Sequence, residues 1–258
     1  MRDRGLEEAV RAVGGVSELA RQIGISQPSV SNWTRIPAER VLPVEAATGV
    51  SRTILRPDLY VERGDAAPNN DTIAARAQEY ALVATMLARA PDAEFLNKLG
   101  HLSGDASTLG AAHEALAHAA SEAVPEKVER EFFDLFIGVG RGELLPYASY
   151  YLTGFLHERP LARLRSDLAP LGIERVDGNV EPEDHAATLC EIMAGLLNGR
   201  LPAPANTDQR IFEKHLAPWM RRFFADLEQA EAAKLYRHVG TVGRLFIDIE
   251  IQAFALPS

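Results

Sequence analysis

Beyond residue 70, apolar side chains return every three or four positions, while the alternation that marks a half-buried strand is nearly absent. A chain patterned this way buries its apolar stripes helix against helix, because a sheet requires a two-residue period. Candidate helices are 71–89, 91–100, 105–122, 125–137, 146–156, 160–169, 182–198, 207–228 and 231–254, with Pro or Gly at most of their ends. No internal repeat and no low-complexity tract interrupts them. The expected fold class is all-α.

The front of the chain reads separately. "PDLYVERGDAAPNNDT" (57–72) breaks the periodicity and gathers Pro, Gly, Asn and Asp, so a linker is expected over 61–72. It divides a small domain, 1–60, from a large helical one, 73–258. Within the small one, "VSELARQIGISQPSVSNWTR" (16–35) predicts two short helices joined by a tight turn. Ser17 and Ser26 are candidate caps, Pro28 suits a first turn, and Gly24 sits where a left-handed residue ends a helix. The spacing of Ala20, Gly24 and Val30 suits a helix-turn-helix, which needs a small residue where the helices touch, glycine in the turn and a branched apolar residue beyond. Val30 and Trp33 then face the first helix. Gln27, Ser29, Ser31, Asn32 and Arg35 are left exposed, with amide and guanidinium groups that can reach adenine or guanine edges, or phosphate. DNA, contacted by a dimer, is a candidate partner. A helical hairpin that no longer touches DNA is the plainer alternative.

Composition narrows the function classes. Residues 1–64 carry nine arginines, no lysines and eight acids, whereas the remaining 194 carry 18 basic and 28 acidic side chains. The near-neutral head supplies little phosphate attraction, and the acidic body favours cationic partners over nucleic acid. Acid that serves only solubility is the bland reading. No uncharged apolar run approaches the roughly 18 residues of a membrane span, and "MRDRGLEEAV" lacks the apolar core of a leader. The single cysteine, Cys190, excludes an internal disulfide and suits a reducing compartment. A cytoplasmic protein without cofactor is expected.

Several apparent catalytic motifs fail on geometry. In "HEALAH", His113 and His118 are five apart, about 140° round a helix, so they miss the one-face spacing of a zinc pair. "GVGRG" (138–142) follows a helical pattern rather than a strand and lacks the Lys-Ser/Thr ending of a phosphate-binding loop. No GxSxG elbow occurs, and Cys190 lies inside an amphipathic helix, where it packs rather than reacts. "VEPEDH" (180–185) is denser in charge. Pro182 is expected at a first helical position, Glu183 and Asp184 in the first turn, and His185 on a stripe with Leu189, Ile192 and Leu196. Thr188 and Leu189 stand where a second metal ligand is wanted, so no local metal site is expected. The choice left is an acidic cap with a packed histidine, or a polar hot spot at the mouth of an apolar groove.

Two resemblances bear on that choice. The front segment, 5–59, is similar to small Cro-like and YdaS-type helix-turn-helix domains, including the following "IPAERVLPVEAATGVSR". "EFFDLFIGVGRGELLPYASYYL" (131–152) resembles the signature of TorD/DmsD-type redox-enzyme maturation chaperones, E-x-x-x-L-F-x-G followed by P-Y-x-S-x-Y-L, through Glu131, Leu135, Phe136, Gly138, Pro146, Tyr147, Ser149, Tyr151 and Leu152. "EPEDHAATLCEIM" matches that family's E-P-x-D-H helix start, and "FEKHLAPWMRRFFADLEQA" with "KLYRHVGTVGRLFIDIE" its C-terminal helices. Ordinary members lack the front segment.

The resemblance implies a non-enzymatic chaperone that binds the twin-arginine signal peptide, or the apo form, of a molybdenum- or tungsten-containing oxidoreductase. A leader with two guanidiniums beside an apolar stretch suits carboxylates at the edge of an aromatic groove. Glu181, Glu183 and Asp184 are the expected partners of the arginines, with Tyr147, Tyr150, Tyr151 and Leu145 lining the groove. His185 is expected to donate to the peptide or to position Asp184. By the family match Asp184 and His185 come first, then Tyr147 and Ser149, although Ser149 as a helix cap and the tyrosines as core stay open. Two other readings stand beside this one: a transcriptional regulator whose acidic helical domain senses a peptide or small ligand, and a nucleotide hydrolase using "GVGRG". The polar connection 170–184 is a candidate hinge for helix exchange in a homodimer.

Overall fold

The computed structural model describes residues 3–57, 59, 70–173 and 181–255. It divides into two compact units, Met1–Ala67 and Pro68–Ser258. No strand occurs among the described residues, and the chain is all-α.

The described residues of the small unit form the α-helices α1 Arg4–Ala12, α2 Val16–Gln22, α3 Gln27–Ser31, α4 Val41–Thr48 and α5 Arg52–Leu55. Asp3 starts α1 by accepting the Leu6 N–H at 3.0 Å. Gly15, not the expected Ser17, stands at the N-cap of α2, and Ser17 lies within the first turn. Gly24 adopts the left-handed conformation (φ 69°) that lets the chain turn between α2 and α3. Ser26 precedes α3 as expected, but its hydroxyl meets that of Ser29 at 2.7 Å instead of capping an N–H. Leu6, Leu19, Ala20, Val30, Val44 and Leu55 close the core, with Trp33 packed partly buried against it.

The large unit continues with α6 Asn70–Ala88, α7 Ala93–Leu99, α8 Thr108–Ser121, α9 Pro125–Phe132, α10 Ala148–Thr153 and α11 Arg159–Leu168. It closes with α12 Ala186–Leu197, α13 Thr207–Ile211, α14 Met220–Gln229 and α15 Leu235–Ala255. The first helix begins at Asn70, inside the expected linker, whose residues 61–69 lie outside the described set. The expected helix 207–228 is interrupted instead by a π turn, Phe212–Leu216, and the Pro218 bend before α14. Another π turn, Phe133–Ile137, extends α9.

α12 lies along α6, and α15 packs against both α14 and α8. The α14–α15 approach depends on glycine: a Cβ at Gly243 would fall 2.4 Å from the Phe224 ring. One buried charge cluster ties the bundle. Arg76 on α6 donates twice to Glu250 on α15, at 2.7 and 2.8 Å, and the Tyr80 hydroxyl adds a third bond at 2.9 Å. Bidentate geometry with every oxygen engaged is what makes an ion pair tolerable inside a core.

Candidate functional site

Two separated stretches of the large unit are stitched by backbone hydrogen bonds. The Ala186 N–H donates to Pro146 O (2.8 Å), and the Ala148 N–H donates to Asp184 O (3.0 Å). Tyr147 and His185 thereby face each other as an antiparallel pair with their rings edge to face, 5.0 Å apart. This short pairing brings "PYAS" and "EPEDH" into one place.

Asp184 is 1% exposed and Ser149 fully buried. One Asp184 carboxylate oxygen accepts both the Ser149 N–H (2.8 Å) and the Ser149 hydroxyl (2.5 Å). The carboxylate therefore caps the start of α10, and the expectation that Asp184 meets a peptide arginine is corrected: its acceptor capacity is turned inward. Ser149 is its partner, neither a contact nor the cap itself. Glu183 also has a partner within the chain, a bidentate Arg165 with bonds from 2.8 to 3.1 Å.

His185 does not lie on the apolar stripe of α12. It is the N-cap, extended in backbone, and its Nδ1 accepts the Ala187 N–H at 3.1 Å. Pro182, Glu183 and Asp184 therefore precede the helix. Burial lowers the His185 pKa against the opposing pull of Glu181 and Asp184, so the ring is held neutral. With Nδ1 accepting, the neutral ring carries its proton on Nε2, which is left to donate.

That ring lines a cavity of about 300 Å³, with Phe132, Phe136, Tyr147, Glu181 and Glu191 among the other walls. Among the described residues its lining holds neither lysine nor arginine. The Tyr147 hydroxyl donates to Glu181 at 2.6 Å, and burial with this carboxylate raises the tyrosine pKa. Glu191, one and a half turns into α12, is exposed and has no partner among the described residues. The π turn matters here. One extra residue per turn rotates the following side chains by about 100° relative to a continuing α-helix. Phe136 and Ile137 thereby line the cavity.

Tyr150, Tyr151 and Leu145 line a different cavity, about 430 Å³, together with Arg141 and Arg222. The expected single groove is thus two. Its members divide because successive residues of 145–151 point to different sides of the chain. Sequence reasoning missed Glu191 and Phe132; both lie on helix faces already marked as amphipathic, a signal too diffuse to single them out.

The remaining motifs resolve structurally. Glu131 accepts the N–H groups of Lys234 (2.7 Å), Leu235 (3.2 Å) and Tyr236 (2.8 Å), holding the start of α15. "GVGRG" folds back on its own chain: a Cβ at Gly138, φ 62°, would collide with the Arg141 carbonyl at 2.0 Å. No helix opens behind it before Ala148, so it is not a phosphate loop. Cys190 is buried, which raises its thiol pKa. In the small unit, Gln27, Ser29, Ser31, Asn32 and Arg35 are all exposed. Gln27 bonds Ser31 (2.9 Å), and Arg35 lies 3.4 Å from Asp3, an ion pair that competes with any phosphate contact.

Two family models match the chain. The one described as nitrate reductase delta subunit covers residues 103–225, and the one described as bacterial toxin YdaS covers residues 6–63. The TorD chaperone of Vibrio cholerae is 29% identical over 126 residues, 45% of this chain and 57% of the relative. The chain thus spans little more than half the length of that relative. The TorD chaperone of Shewanella loihica is 24% identical over 212 residues, 73% of this chain and 96% of the relative. YdaS of Escherichia coli, described as a candidate transcriptional regulator, is 37% identical over 76 residues, 26% of this chain and 78% of the relative. A solved structure described as a candidate redox enzyme maturation protein from Archaeoglobus fulgidus aligns over 67% of this chain and 93% of its own, with TM-score 0.46 and 20% identity. The helical body is thus similar to the TorD chaperones, and the front of the chain belongs to the YdaS family.

Proposed function

We propose that the helical body is a non-enzymatic chaperone that holds the twin-arginine leader, or the apo form, of a molybdenum- or tungsten-containing oxidoreductase while its cofactor is inserted. The observation that supports this most is the 300 Å³ cavity, in which aromatic walls meet Glu181 and Glu191 and, among the described residues, no lysine or arginine intrudes. Such a cleft suits guanidinium groups followed by apolar side chains. The His185 Nε2–H is the donor suited to a peptide carbonyl. Tyr147 and Glu181 already bond each other, so an incoming arginine trades into that pair instead of meeting a bare carboxylate.

The test is fluorescence anisotropy with a labelled twin-arginine signal peptide. Binding should weaken about tenfold for a peptide with both arginines changed to lysine, or for the Glu181→Gln/Glu191→Gln chain. Equal affinity for all pairs removes the reading.

The front segment supports a second activity, contact with DNA, through the exposed side chains of α3 and its flank. The alternative reading, a transcriptional regulator sensing a peptide or small ligand through the acidic body, rests on the same segment. A gel shift with DNA from upstream of the protein's own gene, lost in Asn32→Ala/Arg35→Ala, would support contact. The regulator reading requires that bound peptide alter that shift.

A further inference from the structure

Leu152 belongs to two cavities. One is the 430 Å³ cavity with Arg141 and Arg222; the other, about 480 Å³, is lined by Ala148, Pro160, Arg163, Lys214 and His215. Between them the turn after α10 lifts a small apolar ridge into solvent: Leu152 is 43% exposed, Phe155 69% and Leu156 40%. The turn is tied down. Gly154 ends α10 in the left-handed conformation, the Thr153 hydroxyl donates to Ser149 O (2.8 Å), and Thr153 Oγ1 in turn accepts the Phe155 N–H (3.3 Å). A large ring held in water by an ordered backbone marks a contact surface more than a frayed end does.

The charge around the ridge has the opposite sign to that of the leader cavity. Most of its carboxylates are already engaged, the exposed Glu158 at the N-cap of α11 excepted. Asp167 accepts from His215 (2.8 Å) and Lys214 (3.3 Å), Glu143 accepts the Ala232 N–H (3.0 Å), and Asp226 lies 4.0 Å from Arg222 and bonds Tyr151. Arg163 and Arg159 have no partner among the described residues, and Arg141 is bonded to the Tyr150 hydroxyl (2.8 Å) and to no carboxylate among them. Unspent positive charge thus gathers about one apolar ridge on a chain whose net charge is −9.

We infer that this ridge and its two flanking cavities form a second docking surface, which takes an acidic protein segment carrying aromatic or aliphatic side chains. The carboxylates of such a segment would meet Arg141, Arg159 and Arg163, and its apolar side chains would enter the cavities beside Leu152. A protein segment fits better than a lipid surface. The ridge is flanked by concavities that accept side chains, and the surplus acid elsewhere on the body repels an anionic bilayer.

Selection of a random-peptide display library on the full-length chain tests this. Two classes of enriched peptide are expected. An arginine-bearing class should be lost in Glu181→Gln/Glu191→Gln, and an acidic, aromatic-bearing class lost in Phe155→Ser/Arg163→Glu. A resynthesised peptide of the acidic class should bind the ridge variant roughly tenfold or more weakly, with an unchanged thermal midpoint. Absence of an acidic class that depends on Phe155 and Arg163 overturns the inference. So does binding of phosphatidylglycerol vesicles that is lost in the same variant, which assigns the ridge to lipid. Failure of the arginine-bearing class alone sinks the leader reading and leaves the ridge standing.

Discussion

Asp184 and Glu181 lie three residues apart and do different work. Asp184 satisfies two buried donors of Ser149, so Asp184→Ala leaves both without an acceptor and should cost about 3 kcal/mol, read as a shift in the urea midpoint. Glu181→Gln should leave that midpoint within about 0.5 kcal/mol and act on peptide affinity instead. A destabilised Glu181 variant, or a fully stable Asp184 variant, would reverse the assignment. His185 adds a pH signature. Its pKa is lowered in the folded state, so below its ordinary value the unfolded chain binds more protons than the folded one. The contribution of His185 to stability is therefore full above about pH 6.5 and declines as the pH falls beneath it. His215, lowered by burial, acts in the same sense, whereas the bond to Glu79 raises His113, which acts in the opposite one. Replacing His185 with Asn should reduce the acid-side slope of the denaturation midpoint without abolishing it.

At the scale of elements, α15 begins on a carboxylate more than a hundred residues away. Glu131→Ala strips an acceptor from three N–H groups and should lower stability by roughly 2–3 kcal/mol, with Glu131→Gln recovering part of the loss. Circular dichroism melts check both. The helices themselves were largely legible, because amphipathic periodicity and Pro/Gly punctuation are local properties. Three features were not. The π turns at 133–137 and 212–216 break no propensity rule and leave no periodic mark, yet they rephase Phe136 and Ile137. His185 was read into α12 because Leu189, Ile192 and Leu196 continue its spacing; pairing with Tyr147 pulls it out of the helix instead. The division of Tyr147 from Tyr150, Tyr151 and Leu145 follows from the turn at 145–148, which only the contact with 184–186 defines. Family motifs singled out "PYAS" and "EPEDH" but not which of their carboxylates face outward.

At the scale of the molecule, the two units carry separate cores. Asn32→Ala/Arg35→Ala should therefore abolish a DNA gel shift while leaving leader-peptide affinity within about twofold, since changes confined to one core leave the packing of the other intact. Loss of both would show that the units work as one. No helix among the described residues is long and apolar enough to cross a membrane. The aromatic wall of the leader cavity has its own dependence. Phe132 and Phe136 each pack against Tyr236 of α15, at 5.9 and 5.5 Å between ring centres. During synthesis, a nascent chain that has not yet released α15 from the ribosome has no finished wall with which to seize a leader. On the proposed reading, client capture would thus wait until translation has passed that helix.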